Sequence, residues 1–271
     1  MKFSDMLRQA QQAHDSMLCV GLDPEPSRFP GDWRGDASQT FEFCSAIVDA
    51  TKDLACAFKP QIAYFAAQRA EDALERLIAH IHQVAPGVPV ILDAKRGDIG
   101  ATAEQYASEA FGRYRADALT LSPFMGFDSI EPYLRHPDKG LILLCRTSNP
   151  GGSDLQAQAL AGGGLLYEHI ARLAAGPWNA GGQLGLVVGA TFPGEIARVR
   201  ELAPTLPLLI PGIGAQGGDA EATVRAGFRE AGPIIVSSSR AVLYASAGED
   251  FALAARRVAQ ATRQQLNAAK P

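Results

Sequence analysis

Residues 90–102 read "VILDAKRGDIGAT", an apolar run that ends in Asp93, Lys95, Arg96 and Asp98. Opposed charges at the end of a buried strand suit a ligand on which charge develops or moves. Side chains alternate along a strand, so Asp93 and Lys95 share one side while Arg96 turns outward and reads as a rim residue. Lys59 ends another apolar run, "ACAFKP" (55–60). If the two strands are neighbours, Lys59 lies about 5 Å away by the sheet spacing. A Lys-Asp-Lys array is therefore available. A salt-bridged rim explains any one of these residues more readily than it explains the set. Asp98 follows Gly97, which interrupts the strand, so it need not share a pocket with Asp93. Two carboxylates forced together would raise one pKa; an Asp98 that points away could instead reach a neighbouring subunit. Thr102 begins "TAEQ", and a capping box with Gln105 accounts for it without catalysis.

A second signal lies near the far end of the chain. "PGIGAQGGDA" (211–220) is a glycine-rich turn before a helical pattern, and "SSSRA" (237–241) opens another. Backbone N–H groups at such helix starts attract anions, and Arg240 can grip a phosphate with two parallel hydrogen bonds. The net charge of −4 leaves no general basic field, so neither nucleic acid nor an anionic membrane is an expected partner. Positive charge for an anionic ligand must be gathered locally.

The elements that must position these residues come from the apolar runs. Eight have strand length: 17–23, 55–60, 89–95, 118–124, 141–148, 184–190, 206–214 and 233–239. Helical periods fall between them, over 61–84, 102–115, 194–203, 219–227 and 249–268. Near-continuous apolar strands alternating with helices predict a parallel sheet with covered faces. The count and the 271-residue length fit an α/β fold, a (β/α)8 TIM barrel, with 1–271 as a single domain. An open doubly wound sheet is the alternative, but no GxGxxG opens a helix after the first strand. In a barrel the strand ends and following loops share one mouth. That mouth would collect Asp23, Lys59, Asp93, Lys95, Ser122, Thr147, Ser148, Gln216 and Arg240. The loop-rich segments 23–38 and 148–164 also follow strand ends, so either could act as a lid. The four cysteines and five histidines show no metal-ligand spacing. The N-terminal segment lacks signal-peptide features, and no run reaches the roughly 18 apolar residues of a membrane span. A cytoplasmic protein with reduced thiols is expected.

The motif "DAKRGDIGAT", with "GLD", "FKP", "TSNPGG" and "PGIGAQGGD" in order on the right strands, resembles the orotidine 5'-phosphate decarboxylase family. The likeness runs from about residue 18 to 245 and is to the longer bacterial variety. It implies a barrel homodimer that converts orotidine 5'-monophosphate to uridine 5'-monophosphate with neither metal nor organic cofactor. By the same resemblance Lys59, Asp93, Lys95 and Asp98 form the catalytic array, with Asp98 and Thr102 supplied to the partner's site. Asp23 and Lys59 would hold ribose hydroxyls, Ser148 the pyrimidine, and Gln216 and Arg240 the phosphate. One departure is that Ser239 precedes Arg240, where shorter family members have glycine. The residues alone leave three other readings open: a metal-dependent sugar-phosphate barrel using Asp93 and Asp98, a Schiff-base aldolase using Lys59 or Lys95, and a non-catalytic phosphate-metabolite sensor.

Overall fold

All eight apolar runs fold as strands in the structure, a computed structural model that describes residues 1–213 and 219–271. The first half of the chain contains α1 (Phe3–His14), β1 (Leu18–Leu22), α2 (Thr40–Thr51), β2 (Ala57–Pro60), α3 (Ile62–Ala66), α4 (Glu71–Val84), β3 (Ile91–Arg96), α5 (Gly100–Ala107) and β4 (Ala118–Leu121). The second half contains α6 (Glu131–Leu134), β5 (Gly140–Arg146), α7 (Leu166–Ala175), β6 (Leu184–Val188), α8 (Pro193–Leu202), β7 (Leu208–Pro211), α9 (Ala220–Gly227), β8 (Ile234–Ser238), α10 (Arg240–Leu243) and α11 (Phe251–Ala268). The strands pair in parallel in the order β2-β1-β8-β7-β6-β5-β4-β3. Parallel bridges from Phe58 to Val90 and from Gln61 to Asp93 join the two ends of that order. The result is a nearly closed (β/α)8 barrel.

The period-2 alternation of strands explains how this barrel is filled. One buried residue from each strand, Cys19, Ala57, Ile91, Ala118, Ile142, Val187, Leu209 and Ile235, forms an interior apolar cluster. Two residues further along, the same face presents Gly21, Lys59, Asp93, Thr120, Leu144, Gly189, Pro211 and Ser237. The apolar layer thus gives way to a polar mouth in a single step of the strand period. The amino end of the barrel is closed by α1, whose Phe3 and Leu7 join the interior cluster. A Cβ on Gly140 would stand 2.3 Å from the Phe3 ring, so glycine at the start of β5 is what admits the plug. The helices α1, α2 and α7 lie outside the helical stretches read from the sequence.

The outer helices follow expectation with two corrections. Leu74, Leu77, Ile78 and Ile81 line the buried face of α4, and each buried side chain of this kind stabilises by about 1.5–3 kcal/mol. The stretch 61–84, however, is broken, because Arg69 adopts a left-handed conformation (φ 54°). Gln68 holds the break by donating to the Pro24 and Tyr64 carbonyls at 2.8 and 2.6 Å. The second correction concerns 102–115, where the α-helix begins at Gly100 and gives way to a π-helical turn over Ser108–Arg113. No described helix is long and apolar enough to cross a membrane.

The segment 23–38 is anchored at its start and at Phe29. Phe29 is fully buried and stacks on Phe43 of α2 with ring centroids 4.5 Å apart. Tyr244 accepts from the Glu25 amide at 2.7 Å and donates to the Asp23 carbonyl at 2.9 Å. Aromatic burial fixes this segment to the barrel wall.

Candidate active site

The mouth encloses a cavity of about 720 Å³ at the carboxyl ends of the strands. At its centre Lys59 Nζ lies 3.0 Å from Asp93 Oδ2, and Lys95 Nζ lies 2.7 Å from Asp93 Oδ1. Lys59 and Asp93 are buried, whereas the Lys95 side chain is 46% exposed and faces the cavity. Burial opposes charge on Asp93, but the ammonium groups of Lys59 and Lys95 outweigh it and hold the carboxyl well below the usual range. Burial likewise pulls Lys59 down, and attraction to Asp93 and Asp23 outweighs it, so its pKa is raised. The shifts of Lys59 and Asp93 both favour the charged forms, so the buried pair is an ion pair at neutral pH.

Asp93 and Lys95 converge, but not through simple alternation. The register of β3 against β4 shifts between Leu92 and Arg96, and Lys95 has φ 48°. The Ala94 and Lys95 amides both donate to Thr120 Oγ1 at 3.0 Å, and Thr120 donates to Asp93 Oδ1 at 2.8 Å. Arg96 turns outward as expected, bonded to Glu109 at 2.7 Å and stacked over Tyr106.

Asp23, Ser148 and Arg240 also line the cavity. Asp23 Oδ1 is buried without a hydrogen-bond partner among the described residues, an acceptor left unsatisfied. Ser148 is brought in by β6: a Cβ on Gly189 would stand 2.7 Å from the Ser148 amide nitrogen. Arg240, the first residue of α10, is exposed. Gln216 lies outside the described residues.

Asp98 and Thr102 do not line this cavity. Asp98 Oδ1 accepts from the Ile99 amide at 2.9 Å, and Thr102 is exposed. Thr102 is not a cap either, since the helical ladder already starts at the Ile99 carbonyl, which accepts from Ala103. The paired-carboxylate metal reading fails here, because Asp93 spends its oxygens on two ammoniums and a hydroxyl. The described residues contain no cluster of three or more His, Cys, Asp or Glu able to hold a metal.

Sequence reasoning passed over several residues of the mouth. Arg146, buried at the end of β5, donates to Glu195 at 2.8 Å and to Ser153 at 3.0 Å. Gln156 Oε1 accepts from the Thr147 amide at 2.8 Å. Together they pin the turn Pro150–Asp154 over the cavity. Thr120 and Ser237 were detectable in principle, since each lies two residues beyond an interior apolar position of its own strand.

The cavity thus sits at the face where parallel (β/α)8 barrels of the enzyme class carry their sites, and it gathers charges of both signs there. The chain belongs to the orotidine 5'-phosphate decarboxylase / HUMPS family, whose sequence model matches residues 16–257. A Paracidovorax citrulli orotidine 5'-phosphate decarboxylase is 73% identical over 100% of both chains. Its counterpart from Leptothrix cholodnii is 72% identical over 99% of this chain and 98% of its own. Among solved structures, Leishmania donovani OMP decarboxylase superposes with a TM-score of 0.86 at 40% identity, covering 99% of this chain and 98% of that one.

Proposed function

We propose that this chain decarboxylates orotidine 5'-monophosphate to uridine 5'-monophosphate in pyrimidine biosynthesis, with its own side chains as the sole catalytic groups. The C6–carboxylate bond breaks, CO2 departs, and the electron pair stays on C6 as a vinyl-type carbanion. Lys95 stabilises that pair and donates a proton from Nζ to C6; solvent then reprotonates the amine. Asp93 faces the substrate carboxylate. Like charges about 4 Å apart at an effective dielectric near 20 repel by roughly 4 kcal/mol, a repulsion relieved as CO2 leaves. Enzymes offset about 8–23 kcal/mol of barrier. The remainder therefore comes from preorganised charge and from binding energy of the distant phosphate.

The observation that carries this reading is the Lys59–Asp93–Lys95 chain at 3.0 and 2.7 Å, with Lys95 turned to the cavity. Asp23 and Lys59 hold the ribose hydroxyls, which the orphaned Asp23 oxygen supports. Ser148 contacts the pyrimidine, and Gln216 and Arg240 take the phosphate. Asp98 and Thr102 complete the site of a second copy in a homodimer. In support, Ile99, which follows Asp98 in the chain, and Phe124, Met125 and Phe127 of the turns after β4 all expose apolar side chains, Phe124 to 75%. Patches of this kind mark protein interfaces. The reading takes 1–271 as one barrel domain in the cytoplasm, where the four free, buried cysteines fit a reducing compartment.

The decisive experiment follows orotidylate absorbance with chelator present. Wild type should turn over and Lys95→Ala should not, while still binding uridine 5'-monophosphate; full activity in Lys95→Ala ends the assignment. Mixing Lys95→Ala with Asp98→Ala should restore activity through hybrid dimers with one intact site. No recovery after verified subunit exchange would refute the shared site.

A further inference from the structure

Thr120 is 1% exposed, sits at the centre of β4, and uses every hydrogen-bonding position its hydroxyl has. A hydroxyl offers one donor and two acceptor lone pairs. Here the donor goes to Asp93 Oδ1 at 2.8 Å, and the lone pairs take the Ala94 and Lys95 amides at 3.0 Å each. In a regular strand successive amides point to opposite neighbours, so two consecutive amides on one oxygen require a local distortion. That distortion is the register shift between Leu92 and Arg96, with Lys95 at φ 48°. A left-handed conformation costs a side-chain-bearing residue about 1–2 kcal/mol, so it persists only where something holds it. The two amides that Thr120 accepts are those of Lys95 and of the residue just before it, so the hydroxyl anchors the backbone that leads into the left-handed residue.

We propose that Thr120 is a positioning residue of the reaction, fixing through one oxygen both the rotation of the Asp93 carboxylate and the backbone that aims Lys95. The geometry of Asp93 explains why both functions meet in one hydroxyl. Oδ2 is taken by Lys59 and Oδ1 by Lys95 and Thr120. Without the hydroxyl the carboxylate could turn about its Cβ–Cγ bond and follow Lys95 as that side chain moves. The hydroxyl fixes the carboxylate to the β4 wall and Lys95 to the same wall, so the separation between acid and amine is set by the barrel. The inference rests on the roles given above to Asp93 and Lys95.

The test replaces the hydroxyl at constant shape. Thr120→Val should lower kcat by on the order of 100-fold, the scale of a misplaced reacting group, with KM for orotidylate unchanged. Thr120→Ser, which keeps the oxygen, should restore most of kcat. A purely structural threonine would show lowered thermal stability in Thr120→Val with kcat intact below the melting transition. That result, or a Thr120→Ser variant as slow as the valine form, overturns the proposal. If Thr120→Val does not fold, Thr120→Cys takes its place, since a thiol is a weak donor and a weak acceptor. Its kcat should fall well below that of Thr120→Ser, and equality between the two overturns the role. Wild type inactive on orotidylate would defeat the parent reading instead, so the two failures are distinguishable.

Discussion

Two cations are buried at opposite ends of this barrel and are held in opposite ways. Arg200 of α8, 2% exposed, lies near the amino ends of β7 and β8 and donates to the carbonyls of Ala203, Pro204, Leu206, Gly227 and Pro233. Among the described residues it has no carboxylate partner. Lys59, 5% exposed, lies at the carboxyl end of β2 and meets Asp93. Burial pushes Arg200 down to about 10, with Arg229 adding to the effect, though a guanidinium remains charged at neutral pH. Lys59 feels the same burial, yet Asp93 and Asp23 turn its shift upward. Carbonyl dipoles satisfy donors and tie α8, α9 and two strands together, so Arg200 stabilises the floor. A carboxylate supplies a full charge that a bound ligand can compete for. Buried ion pairs contribute little net stability for their desolvation cost, which makes the pair in the mouth intelligible as a binding and catalytic device.

Four measurements would break or sharpen that contrast. The largest effect is expected at the mouth: Lys95→Ala should lose about 10⁴-fold or more in kcat, the combined scale of a proton donor and a charge stabiliser. Its melting temperature should barely move, because the side chain is half exposed. Arg200→Met should do the reverse, losing roughly 3 kcal/mol of unfolding free energy through its unsatisfied carbonyls, with kcat unchanged. Urea unfolding and steady-state assays on both variants decide the matter. If Lys95→Ala were the less stable and Arg200→Met the less active, the functional division between the two ends would fall.

A smaller effect is expected at Arg240. Arg240→Ala should raise KM for orotidylate roughly 10- to 100-fold, the worth of one or two hydrogen bonds to a charged group. The phosphate-free nucleoside should not distinguish variant from wild type, and an equal loss on it would remove phosphate from the role of Arg240. The smallest effect is a pH dependence. Asp93 titrates below its ordinary 3.8, so its contribution to stability is complete above that pH and is lost as pH falls through the depressed folded value. Lys59 titrates above its ordinary 10.5, so its contribution is complete below that pH and is lost as pH rises through the raised value. Unfolding free energy should therefore decline on acidification more steeply in wild type than in Asp93→Asn. Parallel slopes would contradict the ion pairing.

Much of this molecule was legible in local pattern. The eight apolar runs became the eight strands, and most residues expected at their ends line the cavity, because alternation and burial are properties of a few consecutive residues. Lys59, Asp93, Lys95, Asp23, Ser148 and Arg240 were found that way. Ser122 was expected there too and does not line the cavity; Thr120 of the same run does so instead. Thr120 was not found: its place two residues beyond Ala118 marks it as inward, but nothing in "ALTL" reveals that it meets Asp93 of the neighbouring strand. The plug helix α1 was missed because its Phe3, Leu7 and Ala10 are too sparse to stand out until Gly140 gives Phe3 a place to enter. The anchoring of segment 23–38 was missed because its prolines and glycines are visible in sequence, whereas the stacking of Phe29 on Phe43 is not.

The sequence by itself determined which stretches become strands, where charge is stored, and which family's motifs the chain carries. Only the tertiary structure decided distances. Lys59 and Asp93 are 34 positions apart, and Asp93 and Thr120 are 27 apart; closure of the barrel brings each pair to hydrogen-bonding range. The twist at Lys95 is likewise imposed from outside β3, by a hydroxyl on the neighbouring strand. Periodicity is written residue by residue along the chain. The separation of two charges is set by everything packed between and around them.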